Sequence, residues 1–240
     1  MSVASGYRLL DAFEATFHGV EYRHRRSNLG NRIAIELYED LYVLGRSRKL
    51  AGRIEEKLCV INVIGDLTGV IARRADGTFG ERNPSMPAVD EPGFAVARSH
   101  LATIEIGVEV KILFKGLIKQ IGRVDNDLRD HVNQIKRAGG IPISVGIVGV
   151  NHADRCTSYE GDRSYPTTGS GGFLHPIQEA AEVEKRLEQY TKTHFDEFLI
   201  LRFKATNEPP YPFEWVDWAR TMLEYGAVLT RIARKYGTRF

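Results

Sequence analysis

Ile104-Glu105-Ile106-Gly107-Val108-Glu109-Val110-Lys111-Ile112 is the stretch of this 240-residue chain on which its fold turns. Apolar side chains hold the even positions, and Glu105, Gly107, Glu109 and Lys111 hold the odd ones. Successive strand residues point to opposite faces. The pattern therefore predicts a strand from 104 to 112 with one apolar face, and with Glu109 and Lys111 together on the other. A carboxylate there can hold a hard divalent cation, and an ammonium two residues on can orient water or steady a phosphate. The competing reading is a half-exposed strand whose Glu and Lys form a same-face salt pair.

Upstream, Leu29, Ile33, Leu37, Leu41 and Leu44 recur at helical spacing. The helix over 29–44 has Ser27 or Asn28 as its cap and Gly45 as its stop. Glu36 sits at the margin of the apolar stripe, and Glu39 and Asp40 fall on the exposed side. Leu58–Ile64 and Leu67–Ala72 are short β-branched runs around Gly65-Asp66, the pattern of a hairpin. Asp76-Gly77 signals a turn, and the glycines and prolines of 76–93 predict a long loop. Phe94–Ala97 reads as a short strand leading into the alternating stretch.

Downstream, Leu117, Ile121, Val124, Leu128, Val132 and Ile135 mark a long amphipathic helix ending at Gly139-Gly140. Ile143–Val150 is a buried strand. Residues 151–176 are polar and glycine-rich, the composition of a long loop. A helix from Pro176 to about Lys192, a strand at 198–203 and a final helix over 216–236 complete the chain. With no internal repeat and no linker composition, 1–240 reads as one domain, its core at about 29–150 and an extension at 151–240.

The composition, 42% hydrophobic and 27% charged, is that of a soluble globular chain and excludes a disordered one. No apolar run approaches the roughly 20 residues of a membrane helix, and the N-terminus lacks a signal-peptide core. Two cysteines, Cys59 and Cys156, are too few for a disulfide scaffold, so a reducing cytoplasm is the expected location. The net charge is only +2. Basic residues still gather at Arg23–Arg26, at Arg46–Lys49 and at Arg231–Arg239, patches able to meet phosphates. Asn151-His152-Ala153-Asp154-Arg155-Cys156 places a thiol beside a His and an Asp, but sequence neighbours rarely form a nucleophilic triad. Substrate contact suits that loop, with its Glu160, Asp162 and Arg163, better.

The order helix, three strands, helix, strand, with Glu109-Val110-Lys111 on the third strand, resembles the core of the PD-(D/E)xK, or restriction-endonuclease-like, nuclease superfamily. The resemblance covers roughly residues 29–150. It implies an α/β fold, α-β-β-β-α-β, with a mixed central sheet flanked by helices. It also implies metal-dependent hydrolysis of phosphodiester bonds in double-stranded DNA, of restriction or phage-defence type, by a homodimer or larger assembly. In that superfamily an Asp at the start of the second core strand completes the metal site. No Pro-Asp pair precedes the motif here, and Asp66 or Asp90 fills the role. The implied ligands for Mg²⁺, or for Mn²⁺ in its place, are Asp66 (or Asp90), Glu109 and the carbonyl of Val110. Lys111 would act on the nucleophile or phosphate, and Glu36 would hold a second metal through water. Gln120 and His152 would contact substrate. The missing Pro-Asp pair also supports a second expectation, a nuclease fold without a metal site that serves as a nucleic-acid-binding or ligand-sensing module.

Overall fold

In the computed structural model, which describes residues 6–23, 28–62, 76–137, 140–167 and 176–240, three helices precede the first strand. They are α1 (Arg8–Phe17), α2 (Leu29–Leu44) and α3 (Arg48–Glu55). α2 has the bounds its periodicity predicts, and it buries Leu29, Ile33, Leu37 and Leu41. Gly45 ends it at a φ of 61°, a left-handed conformation that glycine reaches without steric cost. α1 and α3 are additions to the sequence reading. α3 opens on Ser47, whose hydroxyl accepts the N–H of Leu50.

Strands β1 (Cys59–Asn62), β2 (Gly77–Glu81), β3 (Arg98–Ser99) and β4 (Ile106–Leu113) follow, then helix α4 (Leu117–Arg137) and strand β5 (Ile143–Asn151). Beyond them come β6 (Thr157–Glu160), β7 (Arg163–Pro166), α5 (Pro176–Arg186), β8 (Glu197–Ala205), β9 (Phe213–Trp215) and α6 (Trp218–Arg239). One sheet runs β3-β1-β2-β4-β5-β8-β9. β2 is antiparallel to β1 and β4, whereas β4, β5 and β8 are parallel. The fold is thus α/β with a mixed central sheet. Helices α1, α2 and α6 cover one face, around Phe13, Ile33, Leu37, Phe203 and Leu229. Helices α4 and α5 cover the other, where Leu117, Ile121 and Leu128 meet Val148, Val150 and Ala180. β5 is buried along its whole length, as a parallel strand covered on both faces must be.

Several expectations change. The second run of the expected hairpin, 67–72, lies outside the described residues. The described antiparallel partner of β1 is β2, inside the expected loop over 76–93. β2 escapes notice because Phe79 is its only large apolar residue. Its glycines instead admit neighbours: a Cβ on Gly80 would lie 2.1 Å from the carbonyl oxygen of Thr103. The short strand expected at 94–97 lies at Arg98–Ser99, parallel to β1. The alternation from 104 to 112 also breaks. Ile104 packs with Val60 and Ile135, while Ile106, two residues on, joins the cluster on the opposite face. The strand begins only at Ile106, so the residues before it do not follow its pleat. The loop over 151–176 contains a hairpin, β6–β7, and α5 passes into a π-helical turn, Leu187–Thr191, before β8.

Candidate active site

β4 turns Glu109 and Lys111 toward α4, on the same side as Gly107, whose added Cβ would strike Ile135. Glu109 is 1 % exposed. Lys111 Nζ lies 2.6 Å from its Oε1, and Nδ1 of His131, from α4, lies 2.5 Å from its Oε2. These are ion-pair contacts without hydrogen-bond alignment. Both Glu109 oxygens and His131 Nδ1 are buried with no hydrogen-bond partner. Gln134, one turn along α4, buries its Oε1 in the same condition. Buried polar atoms are nearly always bonded, so a cluster of such exceptions calls for an explanation.

The second acid is Asp76. Gly77 of β2 stands opposite Val108 of β4, and Asp76 immediately precedes it. Oδ2 of Asp76 accepts the N–H of Val110 at 2.8 Å. The N–H and C=O of a strand residue point to the same side, so the Val110 carbonyl faces this acid as well. From the helix layer, α2 closes in. A Cβ on Gly30 would lie 2.3 Å from Oδ1 of Asp76, and glycine alone leaves the carboxylate its place.

The charges shape one another. Burial, then the charge of Glu109, pushes the Asp76 carboxyl up to about 6 from 3.8. Burial opposes the charge on Lys111, but Glu109, with Asp76 and Asp127 behind it, outweighs burial and raises its pKa. The Glu109 carboxylate likewise raises the pKa of His131 against the effect of burial. Asp76, Glu109 and the Val110 carbonyl offer only oxygen, the donor type hard cations prefer, but both Glu109 oxygens are already in contact with Lys111 and His131. Among the described residues, no three His, Cys, Asp or Glu side chains converge as a ready-made metal cluster.

The other residues singled out in the sequence lie elsewhere. Asp66 is outside the described residues. Asp90 is exposed and pairs with Lys57 at 2.7 Å, so a loop salt bridge occupies it. Glu36 turns to α1, where Arg8 Nε donates to it at 2.7 Å. Glu39 and Asp40 are buried rather than exposed. Glu39 accepts the N–H groups of Ala95 and Val96, and Asp40 those of Arg8 and Leu9 at the start of α1. Gln120 donates to the carbonyl of Lys115 at 2.6 Å. It stands eleven residues from His131, roughly 16 Å along α4. His152 contacts Glu184 of α5, which Arg202 also binds at 2.7 Å. The Cys156 thiol is buried, and burial raises its pKa, which does not suit a nucleophile. Arg231 and Lys235 pair with Glu197, and Arg239 with Asp196.

Sequence reasoning missed Asp76, which it took for a turn marker, and His131. The signal for His131 was its position four residues before Ile135, flanking the apolar stripe of α4. No helix among the described residues is long and apolar enough to cross a membrane. No protein-family model, no curated protein and no solved structure matches this chain.

Proposed function

We propose that the chain is a metal-dependent deoxyribonuclease built on a PD-(D/E)xK-type core, with Asp76, Glu109 and Lys111 as its working residues. One observation carries this reading. Asp76, the residue just before the strand antiparallel to β4, binds the backbone N–H of Val110 within the Glu109-Val110-Lys111 motif and lies near enough to Glu109 for that charge to raise its pKa. On this reading Asp76 takes the role the resemblance assigns to the missing Asp, which Asp90, paired with Lys57, does not fill. Asp76, Glu109 and the Val110 carbonyl would hold Mg²⁺ or Mn²⁺. The bound ion would supply Lewis acidity and a lowered pKa for water.

The chain's own groups account for the rest. Lys111 brings a positive charge that stays on at neutral pH and can steady the non-bridging oxygens of a phosphate. Burial and the Glu109 charge raise the Asp76 carboxyl to about 6, and a bound cation would offset that repulsion and keep both acids ionised. His131 clamps the far oxygen of Glu109 and fixes its rotamer. Plasmid digestion with and without Mg²⁺ tests the reading. Wild type should cut only with metal, and Asp76→Ala, Glu109→Ala and Lys111→Ala should each cut at least about a hundredfold more slowly. Cutting that survives all three substitutions refutes the site.

A second reading has its own support. Glu109 already has a cation on each oxygen, and the described residues hold no three-acid cluster. On that reading the fold binds nucleic acid or a ligand without cleaving it. Wild-type protein that retains DNA in a mobility-shift assay, but never cuts it with Mg²⁺ or Mn²⁺, would favour this module.

A further inference from the structure

We propose that the open edge of β8 pairs with the same edge of a second copy of this chain, joining two sheets about a two-fold axis. β9 covers only Phe203, Lys204 and Ala205 of β8, and Val216 covers Arg202 through an N–H···O bond of 3.1 Å. Among the described residues, nothing pairs with 197–201 on that side. The carbonyl of Arg202 points outward to Val216, and that of Phe203 points inward to the N–H of His152. The β5–β8 register runs without a break from Glu197 to Phe203. Phe198 and Ile200 therefore turn their N–H and C=O groups outward, where the one described donor is Arg202 Nη1, 3.4 Å from the Ile200 oxygen. Unpaired strand edges of this kind are templates for another strand.

The edge is also grooved. A cavity of about 200 Å³ runs along it, with Glu188 and Lys192 on one wall and Glu224 and Arg231 on the other. The charge order along both walls identifies the occupant. Arg202 reaches Glu188 at 3.6 Å and Glu224 at 3.2 Å, so both acids mark the Arg202 end. Arg231 binds Glu197 at 2.7 Å, and Lys192 lies five residues upstream of Glu197, so both bases mark the opposite end. A two-fold axis sets the acid end of each copy against the base end of the other. Glu188 then meets Lys192 of the second copy, and Glu224 meets its Arg231, each carboxylate adding a second cation to the pairs it already makes with Arg202 and Arg220, and Arg231 bridging from Glu197. Lys192 has no ion-pair partner among the described residues to give up. Antiparallel pairing through the axis places Phe198 across from Ile200, each such pair exchanging both backbone bonds. A parallel arrangement would put like charges together. The patch is self-complementary, as a two-fold interface has to be.

The test is sedimentation of the full chain with a charge swap. Wild type should sediment as a dimer. Glu188→Lys alone, or Lys192→Glu alone, should weaken the dimer about tenfold by setting like charges face to face, and the double swap should restore it. Ile200→Pro, which deletes an outward N–H, should give a monomer. Its near-UV circular dichroism shows whether it folds, and the surface swap decides the matter if it does not. A wild type that stays monomeric at its highest soluble concentration overturns the proposal. So does a dimer that both single reversals leave unchanged. Neither result bears on DNA cleavage, because the edge and the Glu109 site share no residue.

Discussion

Glu105 and Glu109 come from the same alternating stretch, four residues apart and both buried, yet they do opposite things. Glu105 is 4 % exposed and fully engaged. Tyr236 donates to it at 2.6 Å, Arg53 Nη2 lies 2.7 Å away, and the Cys59 thiol donates to it at 3.4 Å. It ties α3, α6 and β1 to the start of β4. Burial first and Glu105 next raise the pKa of the Cys59 thiol and the Tyr236 hydroxyl, and the thiol reaches about 12. Glu109 has charged neighbours but no aligned hydrogen bond. A carboxylate whose lone pairs are all used is a strut. One buried against two cations without an aligned hydrogen bond is held by charge alone, and its burial is less fully repaid.

The largest test of that contrast is the stability of two isosteric variants. Glu105→Gln strips Arg53 of a buried counter-charge and should cost about 3 kcal/mol, the scale of breaking a buried pair. Glu109→Gln loses ion contacts to Lys111 and His131, which are about as exposed as Arg53, but no aligned hydrogen bond repays the burial of its charge, so it should cost about 1 kcal/mol or less. Urea unfolding of both variants measures the difference. Equal losses would make Glu109 a strut as well and remove the main support for the active site.

Next in size is Gly30→Ala. Its methyl group would fall onto the Asp76 carboxylate. It should therefore cost about 1–3 kcal/mol, as overpacking does, and slow any metal-dependent cutting. In an Asp76→Ala background the stability cost should shrink, because the clash has lost its partner. An unchanged cost would mean that Asp76 does not depend on α2 for its position.

The same contrast shows what could be read from the chain. α2, α4 and β5 were legible because burial on one side, or on both, writes a period into the residues. Glu109 and Lys111 were legible because strand alternation sets them together. Asp76 was not, since β2 pairs through glycines and carries almost no apolar pattern, so the residue that leads into it passed for a turn. Glu105 was misplaced because the strand begins at Ile106, two residues later than expected, a shift that composition does not record. α1 did carry a signal: Leu9, Leu10, Phe13 and Phe17 at helical spacing, all buried. Glu36 matched its expected role by spacing alone, and spacing cannot show that Arg8 reaches it first.

Asp196 extends the strut class beyond Glu105 and supplies the smallest test. It accepts the N–H and the hydroxyl of Ser144 at 2.9 and 3.0 Å and contacts Arg239, tying the start of β8 to β5 and α6. Burial works to raise its pKa, but the bonds from Arg239 and Ser144 prevail and hold it below 3.8. A carboxylate with a depressed folded pKa stabilises the fold above its unfolded value and loses that contribution as pH falls through the folded one. Wild type should therefore lose stability below about pH 4, where Asp196→Asn, already about 1 kcal/mol less stable at neutral pH, should show a flatter slope. The two should converge once Asp196 is protonated. Parallel curves over that range would mean that Asp196 keeps its charge no better folded than unfolded, and that satisfied geometry alone does not make a strut.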